Sequence, residues 1–148
     1  MSIQRNDMHS GISVQRVISP VAVGTTGTGK TGKAVDRLGY GGLEFILAYG
    51  AITSTSAVFT ATVLEGDATG SMTSVADGDL IGTEALAGVG AANPRVSGVS
   101  ANVTKKIGYR GVKRYVRVDV KSTATAGTPV SVDAVLFNAS TTAGGGLA

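Results

Sequence analysis

The most regular alternation of apolar and polar positions in the chain is Arg114 to Lys121, RYVRVDVK. Val116, Val118 and Val120 point one way, and Tyr115, Arg117, Asp119 and Lys121 the other. A period of two over this length predicts a strand with one buried and one solvated face. Ser122 to Thr128, STATAGT, is a run of small polar residues with a glycine and predicts a loop. Val130 to Phe137 then resumes, alternating at first and apolar on both faces later. Pro129 stands at its first position, where a missing N–H does least harm. Within Val103–Asn138, these runs predict a long antiparallel β-hairpin.

A weaker echo lies upstream. Gly39-Tyr40-Gly41-Gly42-Leu43 resembles Gly108-Tyr109-Arg110-Gly111-Val112, and a strand pattern follows each. After the first come Leu43 to Tyr49, a loop of Gly50 to Ser56, and Ala57 to Leu64. Either two hairpin openings share a few residues by chance, or the chain holds two related hairpins, one at the heart of each of two packed sheets. Elsewhere Ile12–Val17 and Val21–Val23 predict short edge strands divided at Pro20, and Lys33–Leu38 a further strand. Glu65 to Leu80 is loop-like, with Gly66, Gly70 and Gly78 among small polar residues. Thr83 to Gly88 suits one helical turn with Thr83 as its cap; Gly88, Gly90, Asn93 and Pro94 stop anything longer. The total, about eight strands with no long helix, predicts an all-β, jelly-roll-like sandwich or barrel. Residues 1–11 are expected to form a flexible arm, 12–138 one β-sandwich domain, and 139–148 a flexible tail.

Composition agrees with that class. At 148 residues the chain suits one domain, which at this size buries roughly 68–70% of its unfolded surface. Val, Thr and 22 glycines dominate, aromatic residues make up only 5%, and there is no Trp. Val and Thr favour strands, and glycine favours turns. No Cys occurs, so disulfides and thiolate metal sites are excluded. No window is long and apolar enough for a membrane helix, and Met1 to Ser10 is too polar for a signal peptide. The chain is therefore expected to be soluble and to stay where it is made, without a membrane partner.

Charge is segregated along the sequence. No Lys or Arg falls between Leu38 and Pro94, where Glu44, Glu65, Asp67, Asp77, Asp79 and Glu84 lie. From Arg95 to Lys121 come Arg95, Lys105, Lys106, Arg110, Lys113, Arg114, Arg117 and Lys121 against Asp119 alone. This fits two solvated faces of opposite sign, and equally complementary patches that meet between subunits or against an acidic partner.

Chemistry-bearing motifs are few. Gly24-Thr25-Thr26-Gly27-Thr28-Gly29-Lys30-Thr31 satisfies the phosphate-cradling pattern G-x-x-x-x-G-K-[ST] and follows the apolar Val21–Val23. That chemistry needs a helix opening at the lysine. Gly32, Gly39, Gly41 and Gly42 leave no room for one, and alternating β and α units are lacking. No nucleotide is expected, and Lys30 reads as a loop cation. Glu65-Gly66-Asp67 and Asp77-Gly78-Asp79 could offer oxygens to Ca²⁺ but lack EF-hand spacing, and Asx turns account for them. The single His9 lies in the polar N-terminal stretch, and no Ser or Thr has an evident base. Neither catalysis, a metal nor a cofactor is expected. The Lys105–Lys121 run raises nucleic acid, but only Tyr109 and Tyr115 could stack on bases, and no helix, zinc or RNP-like motif accompanies it.

Several short pieces together resemble a known family. They are Pro20-Val21-Ala22-Val23-Gly24, Val35-Asp36-Arg37-Leu38-Gly39-Tyr40 leading into Leu43–Tyr49, and Val63-Leu64-Glu65-Gly66-Asp67. To these belong Ser74-Val75-Ala76-Asp77 and Ile107-Gly108-Tyr109-Arg110-Gly111 before Arg114–Val120. The pattern, spanning Val17 to Phe137, resembles the capsid cement or decoration proteins of tailed bacteriophages. The resemblance implies a jelly-roll-like fold and a place on the outer capsid surface after synthesis in the host cytoplasm. It also implies assembly as dimers or trimers over joints between major capsid protein subunits. Charge and expected flexibility nominate Arg5, Arg16, Arg110, Lys113, Arg114 and Arg117 as contact residues. Other readings are a head-completion, tail or fibre-associated phage protein, or a β-sandwich module for carbohydrate or a host surface. The last usually presents aromatic platforms, and this chain has few aromatics.

Overall fold

The valines of the RYVRVDVK run are buried as the alternation predicts, with Val116 and Val118 wholly inaccessible. In the computed structural model, which describes residues 8–23, 29–51, 58–89, 102–122 and 128–139, they form the inner face of a sandwich. Among the described residues ten strands make two five-stranded antiparallel sheets. The first sheet is ordered β1 (Ser13–Val23), β10 (Thr128–Ala139), β4 (Tyr40–Tyr49), β8 (Val103–Tyr109) and β7 (Leu80–Ile81). The second runs β2 (Gly29–Lys30), β9 (Tyr115–Ser122), β5 (Phe59–Ala68) and β6 (Ser71–Ser74). In it β3 (Val35–Asp36) also pairs with β9, at the other end from β2.

Taking β2 and β3 as one interrupted strand gives eight positions plus the two-residue β7 at an edge. Successive positions pass from sheet to sheet, except that β5–β6 and β7–β8 stay within one. This is the strand order of a jelly roll. Side chains from both inner faces fill the space between the sheets, chiefly Leu43, Phe45 and Leu47 of β4, Val130, Val132 and Leu136 of β10, and Phe59 and Val63 of β5. At one end the Tyr49 and Phe59 rings meet across the sheets, with centroids 5.9 Å apart. The Tyr49 hydroxyl donates to the Ala87 carbonyl at 2.8 Å.

Several expectations are corrected. The predicted hairpin is not one: β9 pairs with β5, while β10 pairs with β1 and β4 in the other sheet. The upstream hairpin is likewise split, since β4 and β5 lie in different sheets. Alternation specifies which face of a strand is buried but not which strand it adjoins; two strands facing each other across a core show the same pattern as two paired side by side. The Gly-Tyr echo marks no common structure, because Tyr40 opens β4 whereas Tyr109 closes β8. Two packed sheets do form, without a hairpin at the heart of each.

Glu65–Leu80, read as loop, holds the end of β5 and the β6 strand, which pair as a real hairpin through Leu64↔Ser74 and Ala68↔Ser71. Its polar residues hid it because little of β6 is buried. The two expected edge strands before Gly24 are one strand, β1, that absorbs Pro20 through register shifts between Arg16 and Val21. Of Lys33–Leu38 only Val35–Asp36 is strand. Gly29–Lys30, expected as loop, pairs with Lys121 and Val120, so Lys30 sits in a strand rather than at a helix start. The helical turn is where expected: α1 (Glu84–Ala87), with the Thr83 hydroxyl accepting from the Leu86 N–H at 3.1 Å. His9–Gly11, expected within the arm, forms a 3-10 turn, and Ala139 still belongs to β10. The remainder of the arm and tail, Gly24–Thr28 and Val96–Ala101 lie outside the described residues.

Candidate interaction surface

A polar network is built around the turn that links β8 to β9. Tyr109, the last residue of β8, is buried, yet its hydroxyl reaches the end of the sandwich. There it donates to the Glu65 carboxylate of β5 and accepts from the Lys113 N–H at 3.0 Å. Burial, with the Glu65 carboxylate beside it, pushes the Tyr109 hydroxyl up to about 12. A Cβ at Gly111 would overlap the Tyr109 ring and hydroxyl, so this turn can pass over the ring only with glycine there.

Arg37, just after β3, clamps the same turn from the side. Its guanidinium lies 4.9 Å from the Tyr109 ring centroid and donates to the carbonyls of Lys113 at 2.9 Å and Gly111 at 3.0 Å. The Arg37 N–H donates to the Arg114 carbonyl at 2.9 Å. On the far side Arg110 binds the Asp77–Asp79 turn, its N–H donating to the Asp79 carbonyl at 2.9 Å and its Nε to the Gly78 carbonyl at 3.0 Å. Between these clamps Val112 stands 90% exposed, with Leu38, next to Arg37, at 68%.

From this turn the charged residues continue onto the outer face of the second sheet. Lys113 pairs with Asp67 at 2.7 Å, and Arg114 donates to both oxygens of Asp36 at 2.9 and 2.8 Å. Arg114 also lies over the Tyr115 ring, 5.1 Å from its centroid. Arg117 donates to both oxygens of Asp119, two residues along β9, at 3.0 and 3.2 Å. The Arg114 guanidinium holds the Asp36 carboxyl below its usual range. Strands from the acidic half lie beside strands from the basic half, β4 beside β8 and β5 beside β9, and among the described residues Lys113–Asp67 is the ion pair that joins the two halves.

Of the six nominated residues, Lys113, Arg114 and Arg117 come together on this face and its end, each with a carboxylate partner. Arg110 lies across the turn, beside Asp77–Asp79. Arg16 is exposed on β1 in the opposite sheet, its register partner being Asp133. Arg5 lies outside the described residues. Sequence reasoning missed Arg37, Asp36 and Glu65, which shape the turn, and the exposed pair Val112 and Leu38. Alternation carries no signal for any of them, since they act across chain separations such as the 74 residues from Arg37 to Gly111.

Neither the known protein-family models nor the curated proteins give a match to this chain. Among solved structures it is similar to a chain from Bacillus endospore appendages, described as disulfide-linked pili, with a TM-score of 0.41 and 15% identity over 95% of this chain and 98% of that one. It is also similar to the infectious bursal disease virus VP2 subviral particle, with a TM-score of 0.47 and 9% identity. That match covers 93% of this chain and 34% of the VP2 chain. At these scores neither likeness carries an argument about what this chain does.

Proposed function

We propose that this chain is a structural virion protein, a cement that lies on the outside of a tailed-phage capsid and spans joints between major capsid protein subunits. The observation that supports this reading best is the lattice of Lys113, Arg114, Tyr115 and Arg117 with Asp36, Asp67 and Asp119. Each cation is paired with a carboxylate of this chain. A surface with both signs interleaved suits a protein face of matching pattern. It suits a phosphate backbone poorly, because the neutralised cations release few counterions. The sequence resemblance spanning Val17 to Phe137 points the same way.

In mechanism, pressure from packaged DNA pushes capsid joints apart, and each bridging contact raises the cost of separation. Many copies per shell make modest affinity at each site sufficient. The test adds purified protein to mature heads that lack it, then heats them or lowers the salt. The proposal predicts that heads carrying the protein survive conditions that open bare heads. Reversing Lys113, Arg114 and Arg117 to Glu is expected to abolish that protection; protection undiminished by a folded triple variant would remove this face from the contact.

A further inference from the structure

The two ends of the sandwich carry opposite shapes. At the end where β4 begins and β8 finishes, the clamped turn projects Val112 and Leu38 into solvent. At the end where β4 finishes, the outer face of the first sheet holds a notch of about 220 Å³, lined by Pro20, Ala48, Tyr49, Gly50, Pro129 and Ser131, among others. The notch arises from the irregular stretch of β1: the register shift between Ile18 and Val21 sets Pro20 beside Pro129 and Ala48. Its size admits one or two aliphatic side chains, and no charged residue lines it.

Groups of opposite sign also stand near the two features, with Arg110 beside the first and Asp133 and Glu44 beside the second. Asp77, exposed, and Asp79, half-buried, sit beside the projecting turn through the Arg110 bonds to their backbone. Neither carboxylate joins an ion pair among the described residues. Beside the notch, the adjoining cross-strand row of the first sheet carries exposed Arg16 and Lys106, with Asp133 and Ile46 between them.

We infer that the projecting Val112–Leu38 turn of one copy seats in the Pro20–Ala48–Pro129 notch of the next, with Asp77 and Asp79 facing Arg16 and Lys106. Such a head-to-tail contact is heterologous: a pair joined by it keeps one free turn and one free notch, so it grows into a ring or an open chain and does not stop at two. The contact leaves the outer face of the second sheet uncovered, and it stands or falls independently of the capsid reading.

The experiment measures mass in solution over a concentration series by light scattering and native mass spectrometry. It uses the full-length protein and two variants, Val112→Asp and Ala48→Arg. Both positions lie outside the core, and unchanged circular dichroism and melting would confirm that each variant folds. Wild type is expected to form species larger than dimers, and each variant alone is expected to weaken self-association by about tenfold or more, or ~1.4 kcal/mol per contact. An equimolar mixture of the variants is expected to give heterodimers and nothing larger. The intact turn of Ala48→Arg fits the intact notch of Val112→Asp, while the remaining turn and notch are both disabled. A wild type that stays monomeric at every concentration would overturn the inference. So would variants that assemble like wild type, or a mixture of folded variants that does not pair.

Discussion

Four side chains carry predictions that depend on their immediate surroundings. Tyr109 joins β5, the turn and Arg37 through one hydroxyl and one ring face. Tyr109→Phe keeps the ring and removes both hydrogen bonds, so it is expected to cost about 1–3 kcal/mol in urea unfolding, because Glu65 and the Lys113 N–H lose a partner together. Thr128 has a fully buried hydroxyl with no hydrogen-bond partner among the described residues. Thr128→Val is expected to be neutral or to stabilise by about 1 kcal/mol. Glu44 and Asp36 should titrate in opposite senses. Desolvation on the outer face of the first sheet raises the Glu44 carboxyl, against a smaller pull from Lys106. Its folded form therefore takes up a proton before the unfolded chain does, and its charge costs stability above that folded value, a cost relieved as pH falls through it. Glu44→Gln is expected to raise the unfolding midpoint at neutral pH and to lose this advantage in acid. For Asp36 the folded carboxyl is lowered, first by Arg114. Its contribution is present at neutral pH and fades as pH drops below the ordinary carboxylate range, so Asp36→Asn should lower the midpoint at neutral pH and have no effect near about pH 2. Midpoints of the two variants across that range would show whether the signs are as stated.

At the scale of elements, the burial of β9, β4 and β10 was legible in the sequence because each has one wet face and one dry face. Their partners were not legible. Val116, Val118 and Val120 face the core whether β9 adjoins β10 or lies across from it, and nothing in Ser122–Thr128 announces that the chain changes sheets. A pair of cysteines separates the two arrangements. Thr60 and Lys121 are exposed register partners on β5 and β9, so Thr60→Cys with Lys121→Cys is expected to form a disulfide on mild oxidation. Lys121→Cys with Ser131→Cys, which a β9–β10 hairpin could bring together, is expected to stay reduced. The short α1 was read correctly because its signal is local: Thr83 three residues before Leu86, then Gly88. It also ties the sheets together, since Glu84 accepts from the Val63 N–H at 2.6 Å and the Ala87 carbonyl accepts from Tyr49. The β6 strand was missed for the opposite reason, having too few buried positions to leave a pattern.

Across the whole molecule, the charge halves visible in the sequence resolve into neighbours rather than separate poles. Lys113 with Asp67 joins the basic half to the acidic one across 46 residues, Arg114 with Asp36 joins it to the segment before Leu38 across 78, and the result is a surface of interleaved sign instead of a basic stripe. Composition could announce the halves but not their pairing, which depends on the jelly-roll crossings. The same crossings set the projecting turn and the proline-walled notch at opposite ends, which suits a subunit that meets its neighbours end to end while its charged face meets something else. The most direct measurement is co-sedimentation of the purified protein with DNA-free mature heads that lack it, titrated to saturation. The cement account predicts saturable binding at a fixed ratio to the major capsid protein. No binding to intact heads would contradict it and move the protein to the tail or to the joint between tail and head.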